Sequence, residues 1–213
     1  MCNRVALVRR ILFRLVHLIV AVTLIVVLLP VSPVSAAATI IVTSTANTIA
    51  NDGLCTLREA IIAANTDAAF NGCPAGSGGD TIVLQANATY TLDVVDNTDY
   101  GPNGLPSIAT PITITGQGAT IARGAGAPDF RLAYISPAGS LTLLDMTLRN
   151  GRAQGGAGGP SGNGSGGGGA GLGGALFNRG TLTLHGCTLI DNAAIGGAGG
   201  WGSNPDSTTG GGA

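Results

Sequence analysis

One stretch of the chain occurs twice. Leu141-Thr142-Leu143-Leu144-Asp145-Met146-Thr147-Leu148 returns 41 residues later as Leu182-Thr183-Leu184-His185-Gly186-Cys187-Thr188-Leu189, and both copies run on into Gly-Gly-Ala-Gly-Gly. A fixed offset of this length is the mark of stacked repeats, in which each unit buries its apolar face against the next. Within each copy the apolar residues alternate, as they do along one face of a strand. The phase then slips at Leu144-Asp145 and again at His185-Gly186, after which Met146/Leu148 and Cys187/Leu189 form the next apolar pairs. Two short strands joined at a two-residue corner, repeated in register, turn a parallel sheet around an axis. The Gly-rich run 155–172 is 18 residues long, which leaves 23 patterned residues for one coil, with the glycines looping out of it as flexible segments.

The same strand–corner–strand rhythm extends upstream. Thr39–Thr43, Thr81–Leu84, Thr89–Leu92, Pro111–Thr115, Ala119–Ile121 and Phe130–Ile135 read as strands, separated by Gly, Pro, Asn or Gln and by no helical stretch after Ile82. The fold class expected is all-β: a right-handed parallel β-helix (solenoid) with a short N-terminal capping helix. A β-sandwich is the structural alternative, but it does not account for paired strands with matching phase slips. Only 4% of residues are aromatic and 10% charged, which suits a thin aliphatic core repeated along an axis better than a globular enzyme.

Three divisions follow: a signal peptide over 1–36, an N-terminal cap and first coils over 37–95, and coils with Gly-rich insertions over 96–213. The leader carries Arg4, Arg9, Arg10 and Arg14, then the apolar run Leu15–Leu29, then small residues Val34-Ser35-Ala36 at the cleavage position. An uncleaved anchor is the alternative, against which the run is short for a bilayer. Beyond residue 36 there is no Lys, and six arginines face eleven acids for a net charge of −5. An acidic chain without a basic patch argues against nucleic acid as a partner. The expected location is extracellular or cell-surface, with no membrane span in the mature chain. The chain stops at Gly210-Gly211-Gly212-Ala213, resembling the opening of a further repeat, so a truncated N-terminal fragment of a longer protein is expected.

The one helix expected starts at Thr56. Thr56-Leu57-Arg58-Glu59 fits a capping box, with the Thr hydroxyl on the Glu59 N–H and the Glu59 carboxylate reaching back. Leu57, Ala60, Ile61 and Ala64 then form one apolar stripe. Cys55 and Cys73 bracket a short loop and can form a disulfide in an exported protein; the sequence leaves open whether they are bonded. Cys187 holds the inward phase that Met146 holds one repeat earlier, which predicts a buried thiol.

Asp52-Gly53-Leu54-Cys55-Thr56-Leu57-Arg58-Glu59-Ala60-Ile61, with Ala63-Ala64-Asn65 and Gly79-Asp80-Thr81-Ile82-Val83-Leu84, resembles the CSLREA domain found near the N-terminus of exported bacterial proteins. The resemblance covers roughly residues 39–95, and Thr56 stands where the name has Ser, keeping a capping hydroxyl. Gly173-Gly174-Ala175-Leu176-Phe177-Asn178 and Asp191-Asn192-Ala193 are similar to the repeats of polymorphic outer membrane proteins. Together these resemblances imply a surface or secreted right-handed parallel β-helix with no reaction attached.

No catalytic, cofactor-binding or metal-ligating residue is assigned. Asp93, Asp96 and Asp99 match no calcium-loop spacing and are expected in a solvated loop. His185 is expected at a surface corner. Asp145 and Asp191 do not fall at equivalent positions, because Asp145 aligns with Gly186. Trp201 is expected to be exposed. The function expected is a non-catalytic structural or adhesive scaffold whose partners are surface glycans or other cell-surface proteins, with no cofactor. The alternative is a carbohydrate-active β-helix, lyase- or hydrolase-like, with its site in missing C-terminal coils.

Overall fold

The computed structural model describes residues 13–17, 36–160 and 166–201. The chain divides into a unit spanning Met1–Val34 and a unit spanning Ser35–Ala213. In the first, residues 13–17 form a helical turn; residues 1–12 and 18–35 of the expected leader lie outside the described residues, as does the Gly210–Ala213 end.

The second unit is mostly sheet, and its strands are parallel. One sheet holds β1 (Thr39–Ile41), β2 (Asp80–Val83), β4 (Pro111–Thr115), β7 (Ser140–Leu144) and β11 (Thr181–His185), adjacent in that order. A second holds β3 (Thr89–Leu92), β5 (Thr120–Arg123), β8 (Thr147–Arg149) and β12 (Thr188–Ile190). Two smaller sheets pair β6 (Ala133–Ile135) with β10 (Leu176–Asn178), and β9 (Arg152–Gln154) with β13 (Ala193–Ile195). From β2 onward the chain passes between the two large sheets and returns to each one strand position further on, entering the smaller sheets only from β6.

Register follows the sequence repeat. Leu141 pairs with Leu182 on one side and Ile112 on the other; Leu143 lies between Leu184 and Ile114; Leu148 lies between Leu189 and Ile121. Like therefore stacks on like, and one apolar cluster runs from Ile40 and Ile82 through Ile112, Ile114, Leu141 and Leu143. The pairing forces this outcome, since a one-residue slip turns every inward side chain outward.

The final strands are less covered than their sequence suggests. Cys187 packs against the cluster yet is only half-buried, with its Sγ 3.3 Å from Leu143 O, so the expected buried thiol is a correction. Its register position is that of Met146, which is buried because β12 lies over β8; among the described residues no strand follows β12 in its sheet. The expected strand over Phe130–Ile135 also shortens to β6, with Phe130, Arg131 and Leu132 buried ahead of it.

Corners are held by residues with positive φ. Asn87 (φ 56°), Gly118 (φ 81°), Asp145 (φ 51°) and Gly186 (φ 64°) occupy the turn between the two large sheets at four successive levels. Asn87 N donates to Gln117 O at 3.1 Å and Asp145 N to His185 O at 2.9 Å, which sets Asn87 against Gly118 and Asp145 against Gly186. A β-carbon on Gly118 would meet Asn87 Oδ1, and one on Gly186 would meet Asp145 Oδ1. Each glycine thus vacates the space its neighbour's side chain fills.

In the described residues 155–160, 166–172 and 196–200 the Gly-rich runs are bonded to one another rather than looped out as flexible segments, a second correction. Gly155 N and Gly158 N donate to Ile195 O and Ala198 O, both at 2.8 Å. Gly197 N and Gly200 N donate to Gly169 O and Gly166 O at 2.7 and 2.8 Å, and Gly169 N and Gly166 N donate to Gly156 O and Gly159 O at 2.8 and 3.2 Å. Three segments thus donate to one another in a ring, bonding at every third residue, the period of extended three-per-turn chains. Gly155, Gly158, Gly168, Gly171, Gly197 and Gly200 face neighbouring backbone so closely that any β-carbon would collide with it, whereas Gly156, Gly159 and Gly167 face open space. Trp201, just beyond, is exposed.

Candidate functional site

The helix α1 (Leu57–Thr66) carries Arg58 and Glu59. Thr56 is its N-cap: the Thr56 hydroxyl accepts from Glu59 N at 3.4 Å, and Glu59 Oε2 accepts from Thr56 N at 2.9 Å. Glu59 Oε1 accepts from Ala50 N at 2.9 Å and from Asn71 Nδ2 at 2.8 Å. Burial pushes the Glu59 carboxyl up, but the bonds from Thr56 N, Asn71, Ala50 and the Thr56 hydroxyl together outweigh it and hold the group below its ordinary value of 4.5. A carboxylate whose acceptor sites are all taken is fixed in its charged form as a cap, and holds no proton to give. Cys55 and Cys73 are joined by a disulfide, with their α-carbons 4.7 Å apart, closing the loop that runs from the helix start.

The helix packs its apolar stripe on β1 and β2 and ties down a distant loop with its polar residues. Arg58 Nη2 lies 2.6 Å from Asp96 Oδ1 and Nε 3.1 Å from the same oxygen, with both side chains largely buried. Asp96 is therefore a structural anion rather than part of a solvated loop, which corrects that expectation. Asn65 Nδ2 donates to Ser107 O at 2.8 Å while its Oδ1 accepts from Ala109 N at 2.9 Å. Asp99 turns to the Ser107 hydroxyl at 2.6 Å, and Asp93 is exposed. The three aspartates do not converge, and no group of three or more His, Cys, Asp or Glu among the described residues is placed to hold a metal.

The polar residues of the repeat also stay apart. Asp145 stacks on Gly186 at one corner, whereas Asp191 lies against Asn150 at another and reaches Arg149 at 3.6 Å on the surface. His185 is exposed at the end of β11.

The structure instead brings together residues that the sequence left unmarked. Tyr134 on β6 pairs in register with Phe177 on β10, their rings stacked at 5.9 Å and 20°. Tyr100, from the loop tied down by Arg58, adds a third ring 5.5 Å from Tyr134 and 6.2 Å from Phe177. Arg179 lies over the Tyr100 ring at 4.3 Å and Arg131 over the Phe177 ring at 5.0 Å. Tyr100 is 63% exposed, whereas Arg131 is only 5% exposed.

Arg131 is the unusual member. Nη1 makes both of its hydrogen bonds, to Tyr100 O at 3.0 Å and to Asn103 Oδ1 at 3.4 Å, and the buried Nε has no partner. No carboxylate pairs with it among the described residues. Loss of hydration accordingly pulls its guanidinium below the ordinary arginine value. Beside it opens a cavity of about 260 Å³ lined by Tyr100, Gly101, Asp129, Arg131, Arg152 and Gln154. Gly101 has φ 114°, and a β-carbon there would lie 3.1 Å from Arg131 Nη2, so the glycine keeps the guanidinium's edge clear. Arg152 is bound to Asp129 at 2.9 Å, and both are partly exposed.

Sequence spacing concealed this cluster. Tyr134 precedes Leu141 by seven residues and Phe177 precedes Leu182 by five, because the turn between β6 and β7 is longer than that between β10 and β11. The rings pair in space although their offset is 43 rather than 41. Comparison with protein-family models, with curated proteins and with solved structures returns no match.

Proposed function

We propose that this chain is an exported, non-catalytic β-helix whose work is to hold a rigid contact surface outside the cell. Residue-for-residue stacking at the 41-residue offset supports the solenoid, and the general preference of parallel crossovers for one hand supports a right-handed coil. Residues 1–36 serve as the signal peptide in this reading, and 37–95 as the N-terminal cap. The disulfide suits an oxidising compartment.

The observation that carries the functional reading is the flank formed by Tyr100, Tyr134, Phe177, Arg131 and Arg179. Aromatic rings alternating with guanidiniums are the composition of contact surfaces. Tyr134 and Phe177 are held in register by the pairing of β6 with β10, and Tyr100 by the loop that Arg58 ties down, so the surface is ordered before any partner arrives. Surface glycans or other cell-surface proteins are the partner classes.

Expression of the full-length chain in a bacterial host, with protease treatment of intact cells and assay of the medium, tests the location. The chain should be released or cleaved from outside; retention in the cytoplasm overturns the reading. Release of unsaturated or reducing ends from polysaccharide by the purified chain would overturn its non-catalytic part.

A further inference from the structure

An arginine with 5% of its surface exposed, an unsatisfied Nε and no acidic partner among the described residues is costly to keep. The ring of Phe177 and two neutral oxygens stabilise it in part. Arg131 lines a cavity of about 260 Å³ that is open to solvent on one side. Two guanidiniums, Arg131 and Arg152, face one carboxylate, Asp129, so the lining is positive on a protein that is otherwise acidic. On the rim stands Tyr100, the exposed ring of the flank. Gly101, Gly155 and Gly156 bring backbone to the cavity, and Pro102 and Leu172 add apolar side chains.

We infer that this cavity binds a carboxylate-bearing sugar residue, its carboxylate on Arg131 with Arg152 alongside and its pyranose face on Tyr100. A ligand carboxylate then gives Arg131 the charge-assisted pair that no carboxylate among the described residues makes with it. Tyr100, 63% exposed although Arg179 lies over its ring at 4.3 Å, supplies apolar surface for a sugar ring and adds no charge of its own. Uronic acids and nonulosonic acids share this chemistry. The inference rests on the reading of the flank as a contact surface and adds the ligand class.

The test is titration of the full-length chain, held in a non-ionic detergent without a sugar headgroup, with galacturonate, N-acetylneuraminate, galactose and acetate at matched ionic strength, followed by calorimetry. Binding of either acidic sugar, with galactose and acetate weaker by about tenfold or more, is expected. Equal binding of galactose, equal binding of acetate, or no binding of either acidic sugar overturns the inference. Arg131→Gln should remove binding, and Tyr100→Ala should weaken it by about threefold to tenfold. Asp129→Asn separates ligand binding from misfolding: freeing Arg152 should tighten binding several-fold, a gain that a damaged fold does not produce, and an unchanged or weaker affinity would count against the site. Loss of sugar binding by a chain that still reaches the cell exterior would sink the ligand class and leave the scaffold reading intact; cytoplasmic retention would sink the scaffold reading instead.

Discussion

Leu143 and Leu184 face each other across adjacent parallel strands, yet Leu143 is 2% exposed and Leu184 is 41% exposed. The two occupy the same place in the repeat and differ only in what lies beyond them. Leu143 has Ile114 on its other side; Leu184 has no further strand among the described residues. Leu143→Ala should therefore cost about 2–5 kcal/mol, the range for emptying a closed core site. Leu184→Ala should cost less than about 1 kcal/mol. Urea denaturation of the two variants measures the difference, and equal costs would mean that Leu184 is covered.

Glu59 makes stability depend on pH in a defined direction. Its folded-state value lies below its ordinary 4.5, so its contribution is complete above that value and fades as pH falls through the folded one. Glu59→Gln should destabilise the chain by about 1–3 kcal/mol at pH 7, because buried donors lose their acceptor. The gap between variant and parent should narrow on acidification below about pH 4.5. Denaturation midpoints across pH 3 to 7 (about one unit apart) check both parts.

The ion pair between Arg58 and Asp96 joins residues 38 apart and fastens the 96–110 loop to α1. Arg58→Ala should cost about 3–5 kcal/mol, since it leaves the largely buried Asp96 side chain without its ion-pair partner. Limited proteolysis should then cut within residues 96–110. Replacing both partners with apolar residues of similar size should recover much of the loss. If the single and double variants are equally unstable, the pair is not the fastening.

Gly197 and Gly156 make a matched pair for the glycine bundle. A β-carbon on Gly197 would strike Gly156 O, while one on Gly156 meets nothing. Gly197→Ala should speed amide exchange at Gly155, Gly158 and Gly169, whose hydrogen bonds hold the bundle together. Gly156→Ala should leave exchange unchanged or slightly slower, as it restricts only the unfolded chain.

What was legible in the sequence was whatever side chains encode by alternation. The strands around Leu141 and Leu182, their phase slip, their parallel stacking and the apolar stripe of α1 all follow from periods of two and of 3.6. The glycine bundle was illegible because its bonds run between backbones, and a run of glycines presents the same composition whether ordered or not. Asp96 looked like one of three solvated aspartates because its partner, Arg58, is brought to it only by the fold. Tyr100, Tyr134 and Phe177 were hidden by turns of unequal length, which shift an aromatic pair off the repeat while the strands themselves remain in register. Cys187 was placed at the right level, but pattern alone does not say whether a further strand covers it.

The corner column of Asn87, Gly118, Asp145 and Gly186 has a consequence for how such a chain lengthens. Each amide or carboxylate leans over the glycine of the following level, so a level inserted directly after Asn87 or Asp145 with a side chain at its corner would push that amide or carboxylate aside. An inserted copy with glycine at this corner would leave the column undisturbed. The column thus favours some splices over others before the hydrophobic interior is consulted.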